Sequence, residues 1–94
     1  MQDKPTNRLL KQADVLFRTS LSKTMLYNKI TEGSFPPPIS VGARSVAWVE
    51  SEVTAIIEAW IFDKTENELY QLTADLISDR RVSRHNVSSN THYV

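Results

Sequence analysis

At 94 residues and with no cysteine, the chain has length for one small domain and lacks the groups for disulfides, thiolate zinc sites or a thiol nucleophile. Hydrophobic residues make up 40% of it, yet no apolar run approaches the roughly 18 residues of a membrane span, and the first residues lack the apolar stretch of an export signal, so a soluble, cytoplasmic protein is expected. The formal net charge of zero hides a segregation: residues 1–49 hold seven basic against three acidic side chains, residues 50–79 one against eight, and Arg80, Arg81 and Arg84 return three positive charges at the end.

Residues 1–7 carry no pattern and are expected to be flexible. From Lys11 to Arg18, Ala13, Val15, Leu16 and Phe17 surround Asp14 in a pattern that suits a short first helix, with Leu9 and Leu10 leading into it. Thr19-Ser20-Leu21-Ser22 is a polar break around one leucine, and Ser22 is placed to cap a second helix starting at Lys23. In that helix Leu26 and Ile30 are four apart with Met25 beside them, and Lys23, Thr24, Tyr27, Asn28 and Lys29 fill the other sides, leaving one side polar and basic. Gly33 supplies the left-handed residue that ends it at about Glu32.

Phe35 is followed by Pro36, Pro37 and Pro38, three residues without an amide hydrogen, which must form an extended connector. Ile39-Ser40-Val41 and Val46-Ala47-Trp48 then read as a small β-hairpin with its turn at Gly42 and Arg44 at the tip. Ser51 is the expected cap of a third helix whose Val53, Ile56, Ile57, Trp60 and Ile61 make the strongest helical periodicity in the chain. Glu50 and Glu52 at its start complement the positive end of the helix dipole. Trp48 belongs to the core, and Trp60 to the core or to an exposed dimer contact. Leu69, Leu72, Leu76 and Ile77 mark a fourth helix over 64–78, and 79–94 is expected to be a disordered tail, with its arginines either a non-specific DNA arm or solubilising charge. His85 and His92 stand apart from any carboxylate cluster, so neither a metal nor another cofactor is expected.

The fold class is therefore mainly α with a small β-hairpin, a winged helix-turn-helix over 8–63, in which the second helix enters the major groove and an arginine in the wing reaches a phosphate or the minor groove. Tyr27 has two readings, a core plug or a phenol touching a phosphate. No Gly-rich phosphate loop, metal cluster or nucleophile-base pair in a structured segment suggests an enzyme.

A longer string is more specific: Arg8-Leu9-Leu10, Asp14-Val15-Leu16, Leu21-Ser22-Lys23-Thr24, Tyr27, Ile30, Glu32-Gly33, Phe35-Pro36, Gly42, Arg44, Val46-Ala47-Trp48 and Glu50-Ser51-Glu52-Val53. Over about Arg8 to Ile61 this resembles the AlpA-like phage regulatory family, similar in fold to MerR-type regulators and phage excisionases. The resemblance implies a DNA-binding protein of a prophage or genomic island that promotes integrase expression, excision, or both. By position it implies that Ser22, Lys23, Thr24, Tyr27 and Asn28 face the groove or its phosphates, with Lys29 beside them and Arg44 as the wing contact. Met25 stands where the family has a small hydroxyl residue and Ser20 replaces a glycine of the turn. Asn28 and Lys29 also depart from the common pattern, and because Asn pairs with adenine and Lys favours guanine, the target sequence is not inherited. Expected partners are double-stranded DNA, further copies of the chain bound cooperatively, and an integrase, with no membrane. The competing reading is a protein-interaction adaptor that uses the acidic third and fourth helices.

Overall fold

A computed structural model describes residues 8–92, with side chains described through Arg80; the expected flexible segment 1–7 lies outside the described residues. Its elements run β1 (Leu9–Leu10), α1 (Gln12–Thr19), α2 (Lys23–Glu32), β2 (Ile39–Ser40), β3 (Val46–Val49), α3 (Glu50–Ile61) and α4 (Glu66–His92). β3 is the middle of a three-stranded antiparallel sheet in the order β1-β3-β2, with Leu10 opposite Trp48 on one side and Ile39 opposite Ala47 on the other. Four helices with this small sheet make a winged helix-turn-helix, in which α1 and α2 form the helical pair and the β2–β3 loop forms the wing.

Seven side chains form the core: Leu10, Val15, Leu26, Phe35, Trp48, Val53 and Ile56. Each is contributed by a different stretch of chain apart from the last two, so β1, both helices of the pair, the connector, β3 and α3 are held by one cluster. Full burial of such side chains contributes about 1.5–3 kcal/mol each. α4 closes the far side, packing Leu72 and Leu76 against the cluster with Leu69 and Thr73 buried in the seam.

The turn between α1 and α2 has a local chemistry. Thr19 is buried; its hydroxyl donates to the Val15 carbonyl at 2.8 Å and accepts from the Leu21 amide. Ser20 closes α1 in the left-handed conformation at φ +63°, the backbone state for which glycine is suited. Ser22 then caps α2 as expected, its hydroxyl accepting from the Met25 amide at 3.1 Å, and Gly33 ends it at φ +91°.

Several expectations need correction. Leu9 and Leu10 form strand β1 rather than a mere lead into α1; two residues are too short to show an alternation. Phe17 is 87% exposed because it shares the outer side of α1 with Ala13 and Asp14 while Val15, Leu16 and Thr19 turn inward. Met25 is half-exposed in the first turn of α2 rather than part of its apolar side. Ser51 does not cap α3: the helix starts at Glu50, Val49 holds the cap position without a side-chain bond, and the Glu50 amide donates to the Arg8 carbonyl. Strand β3 thus passes directly into the helix, and the residue preceding β1 satisfies the first orphan donor. Ile61 is exposed, so the apolar stripe of α3 closes at Trp60. The wing turns through residues 42–44, held by the Val41 amide donating to the Ser45 carbonyl at 2.9 Å and the Ser40 hydroxyl donating to the Gly42 carbonyl.

The largest difference is α4, which runs to His92, past Ile77 and through residues read as a disordered tail. Both glycines and all four prolines of the chain precede Glu66, so no residue in this stretch forces the helix to stop. Its start is fixed by a reciprocal cap: the Thr65 amide donates to the Glu68 carboxylate at 2.8 Å, and the Glu68 amide donates to the Thr65 hydroxyl at 3.1 Å. No helix among the described residues is long and apolar enough to cross a membrane.

Candidate nucleic-acid interface

α2 buries only Leu26 completely. With 3.6 residues per turn, Lys23, Thr24, Tyr27, Asn28 and Thr31 fall on a single side of this helix, and all five are exposed. That side offers an ammonium, two hydroxyls, an amide and a phenol. Such a set suits a polar, negatively charged surface and does not suit a protein core. Ser22 lies at the head of this side, although its hydroxyl is engaged as the helix cap.

Tyr27 falls between its two sequence readings. It is 37% exposed, its ring stands edge-on to buried Trp48 with centroids 6.3 Å apart, and its hydroxyl donates to Gln12 Oε1 at 3.0 Å. The ring therefore packs while the phenol remains at the surface. Because Trp48 belongs to β3, this contact also sets the outward side of α2 next to the root of the wing.

Lys29 is not brought to that side. It is half-buried, and its Nζ lies 5.9 Å from the centre of the Trp60 ring, which itself tilts against Phe35. Lys29 thus acts as a cation over an indole at the joint of α2 and α3. Trp60 is partly buried and packs on the core, as the core reading had it. Arg44 sits in the exposed loop between β2 and β3, at the tip of the wing.

The electrostatic contrast between the two halves is reshaped by two ion pairs that the sequence did not disclose. Glu50 pairs with Arg18 of α1 at 2.9 Å. Glu52, 6% exposed, accepts two bonds from Arg80, one of them from Nε at 2.7 Å. These two glutamates therefore have arginine partners in addition to their place near the helix dipole. Arg80, read as part of a tail, belongs to α4 and faces inward; the side chains of Arg81, Arg84, His85 and His92 lie outside the described residues. Thr31 is the member of the exposed side that sequence reading missed, and its spacing of four from Tyr27 and three from Asn28 was the signal for it.

Residues 8–65 match the family model described as "Prophage CP4-57 regulatory protein (AlpA)". The chain is also 40% identical over 55 residues to "Uncharacterized protein ORF88" of Enterobacteria phage P4, a stretch that spans 58% of this chain and 62% of that protein. The matched residues take in β1, the helical pair, the wing and α3, which are the elements that build the exposed polar side and its flanking loop, and the chain belongs to the AlpA family of phage regulatory, DNA-binding proteins.

Proposed function

We propose that the chain is a sequence-specific double-stranded DNA-binding regulator of a prophage or genomic island, inserting α2 in the major groove and placing the wing on the adjacent backbone or minor groove. The observation that carries this reading is the exposed side of α2, on which Lys23, Thr24, Tyr27 and Asn28 stand together beside the root of the wing that bears Arg44. In this arrangement Lys23 and Arg44 neutralise phosphates, the Thr24 hydroxyl bonds a phosphate oxygen, the Tyr27 hydroxyl does the same by turning its proton from Gln12 Oε1 to the phosphate, and Asn28 reads a base edge, adenine being the base its amide matches with two bonds. Ser22 orders the first turn by capping it, and Lys29 supports the helix through Trp60 without touching DNA.

Regulation of integrase expression, promotion of excision, or both follow from the same contacts and differ in where the sites lie. A module of this size has limited specificity alone, so several copies bind adjacent sites, a role for which Ile61 and Phe62, each 72% exposed, offer an apolar contact. The protein acts in the cytoplasm, where its DNA is.

The test is fluorescence anisotropy with labelled duplexes from its own promoter and flanking attachment region against scrambled duplex, across a salt series, for the full chain and for Lys23→Ala and Arg44→Ala. Specific binding with a steep salt slope, reduced by about one in each variant, is the expected result. Equal weak binding to every duplex, indifferent to both changes, contradicts it and favours the adaptor reading.

A further inference from the structure

The interface leaves one buried charged cluster unused. The Arg80 guanidinium, on α4, joins two places distant in sequence: Nε and Nη2 donate to the two carboxylate oxygens of Glu52 in the first turn of α3, and Nη2 also donates to the Pro37 carbonyl oxygen at 2.8 Å. Glu52 is nearly sealed from solvent and the Arg80 side chain is 20% exposed, so this is an interior contact. Arg80 lies beyond residues 8–65, the part matched by the AlpA model.

Pro37 is the middle of the segment that carries the chain from α2 into the wing. Pro36, Pro37 and Pro38 have no amide hydrogens, so their only main-chain hydrogen bonds are those their carbonyl groups accept. Packing anchors its start, where Phe35 and Pro36 are buried, but Pro37 and Pro38 are only half-buried. Beyond them β2 has two residues, paired through Ile39 and Ser40, and the loop from Val41 to Ser45 is exposed. So short a ladder fixes the wing weakly. A planar guanidinium that grips a carboxylate with two bonds has a set orientation, and here it transfers that orientation to the Pro37 carbonyl.

We propose that Arg80 is a positioning residue for the wing: by holding the Glu52 carboxylate and the Pro37 carbonyl with one guanidinium, it fixes the direction in which β2 departs and hence where Arg44 meets DNA. The consequence for binding rests on the DNA-binding reading, whereas the tether itself does not.

The test uses the full chain with Arg80→Lys, which keeps the charge but loses the fork, and with Glu52→Met and Arg80→Met combined, which fills similar space without a buried unpaired carboxylate. Amide hydrogen exchange is followed across Ile39–Ser45, and affinity is measured on a labelled duplex from the protein's own promoter region. In both variants exchange in the wing is expected to quicken about tenfold while α1 and α2 keep their rates. Duplex affinity falls about tenfold, and Arg44→Ala, which weakens the parent protein, adds less than about twofold in either variant. Unchanged wing exchange, or acceleration spread evenly over the domain as a purely structural role gives, overturns the proposal, as does a full Arg44→Ala effect in the variants. If the parent protein binds no duplex, the DNA-binding reading fails, and the exchange pattern alone decides the tether: acceleration confined to the wing sustains it and any other pattern overturns it.

Discussion

α2 and α3 are helices of similar length, ten and twelve residues, on either side of the wing, and they treat their polar residues in opposite ways. α2 buries Leu26 fully and leaves Lys23, Thr24, Tyr27, Asn28 and Thr31 open on one side. α3 buries Val53, Ile56, Ala59 and even the charged Glu52, and its two leading glutamates are joined to arginines from α1 and α4. The acidic charge of residues 50–79 is thus partly consumed in holding the domain together, while the polar side of α2 is left exposed. A charge tally along the sequence cannot make that distinction, because it records sign and not engagement.

The contrast breaks most sharply at the ion pairs. Arg80→Ala leaves Glu52 as a buried carboxylate without its partner and is expected to cost about 3–5 kcal/mol in urea unfolding. Arg18→Ala removes the more exposed pair with Glu50 and costs less than about 1 kcal/mol in the same measurement. Comparable losses would mean that burial does not separate the two pairs.

The two sides of α2 offer the next comparison. Leu26→Ala opens a cavity in the core and is expected to lower stability by about 2–5 kcal/mol. Asn28→Ala changes stability by less than about 0.5 kcal/mol, since nothing in the fold leans on an exposed amide, yet weakens binding to the specific duplex by about 1–3 kcal/mol. Calorimetry and anisotropy on the same preparations separate the effects. Between these extremes, Ser22→Ala removes the acceptor for the Met25 amide and costs about 1 kcal/mol of thermal stability.

The smallest effect is a pH dependence at the start of α4. The Thr65 amide bonded to the Glu68 carboxylate holds this carboxyl below its ordinary value, against slight desolvation and with help from the Thr65 side chain and Lys64. A depressed folded-state value means a contribution present above the unfolded-state pKa and lost as the pH falls through the folded-state one. The first turn of α4 is therefore expected to loosen on the acid side of the ordinary carboxylate range, and amide shifts of Thr65–Leu69 should show it. Glu68→Gln should abolish that titration.

Much of the fold was legible because its signals are local. Ser22 and Gly33 bound α2 as read, the prolines enforce the connector, and the period of Val53, Ile56 and Trp60 marks α3. What was hidden depends on residues far apart in sequence. β1 exists through pairing with β3 some forty residues later, and Arg80 looked like tail charge because its partners lie 28 and 43 positions away. The resemblance sets Lys29 beside the contact residues, and its place on the helix brings it over Trp60, an indole 31 positions away that no local pattern announces. The Thr65–Glu68 cap is a local signal too, a threonine and a glutamate three apart ahead of an apolar helical run.

On the proposed DNA-binding reading, the outward side of α2 and the wing meet DNA while the acidic side does not. Its most direct test is a map of backbone amide shifts in the full chain as duplex from its own promoter region is added. Shifts are expected to concentrate in Lys23–Thr31 and Val41–Val46, with α3 beyond its first turn and α4 from Glu66 to Asp75 unmoved. Shifts that instead gather on the acidic surfaces of α3 and α4, leaving α2 unchanged, would contradict it.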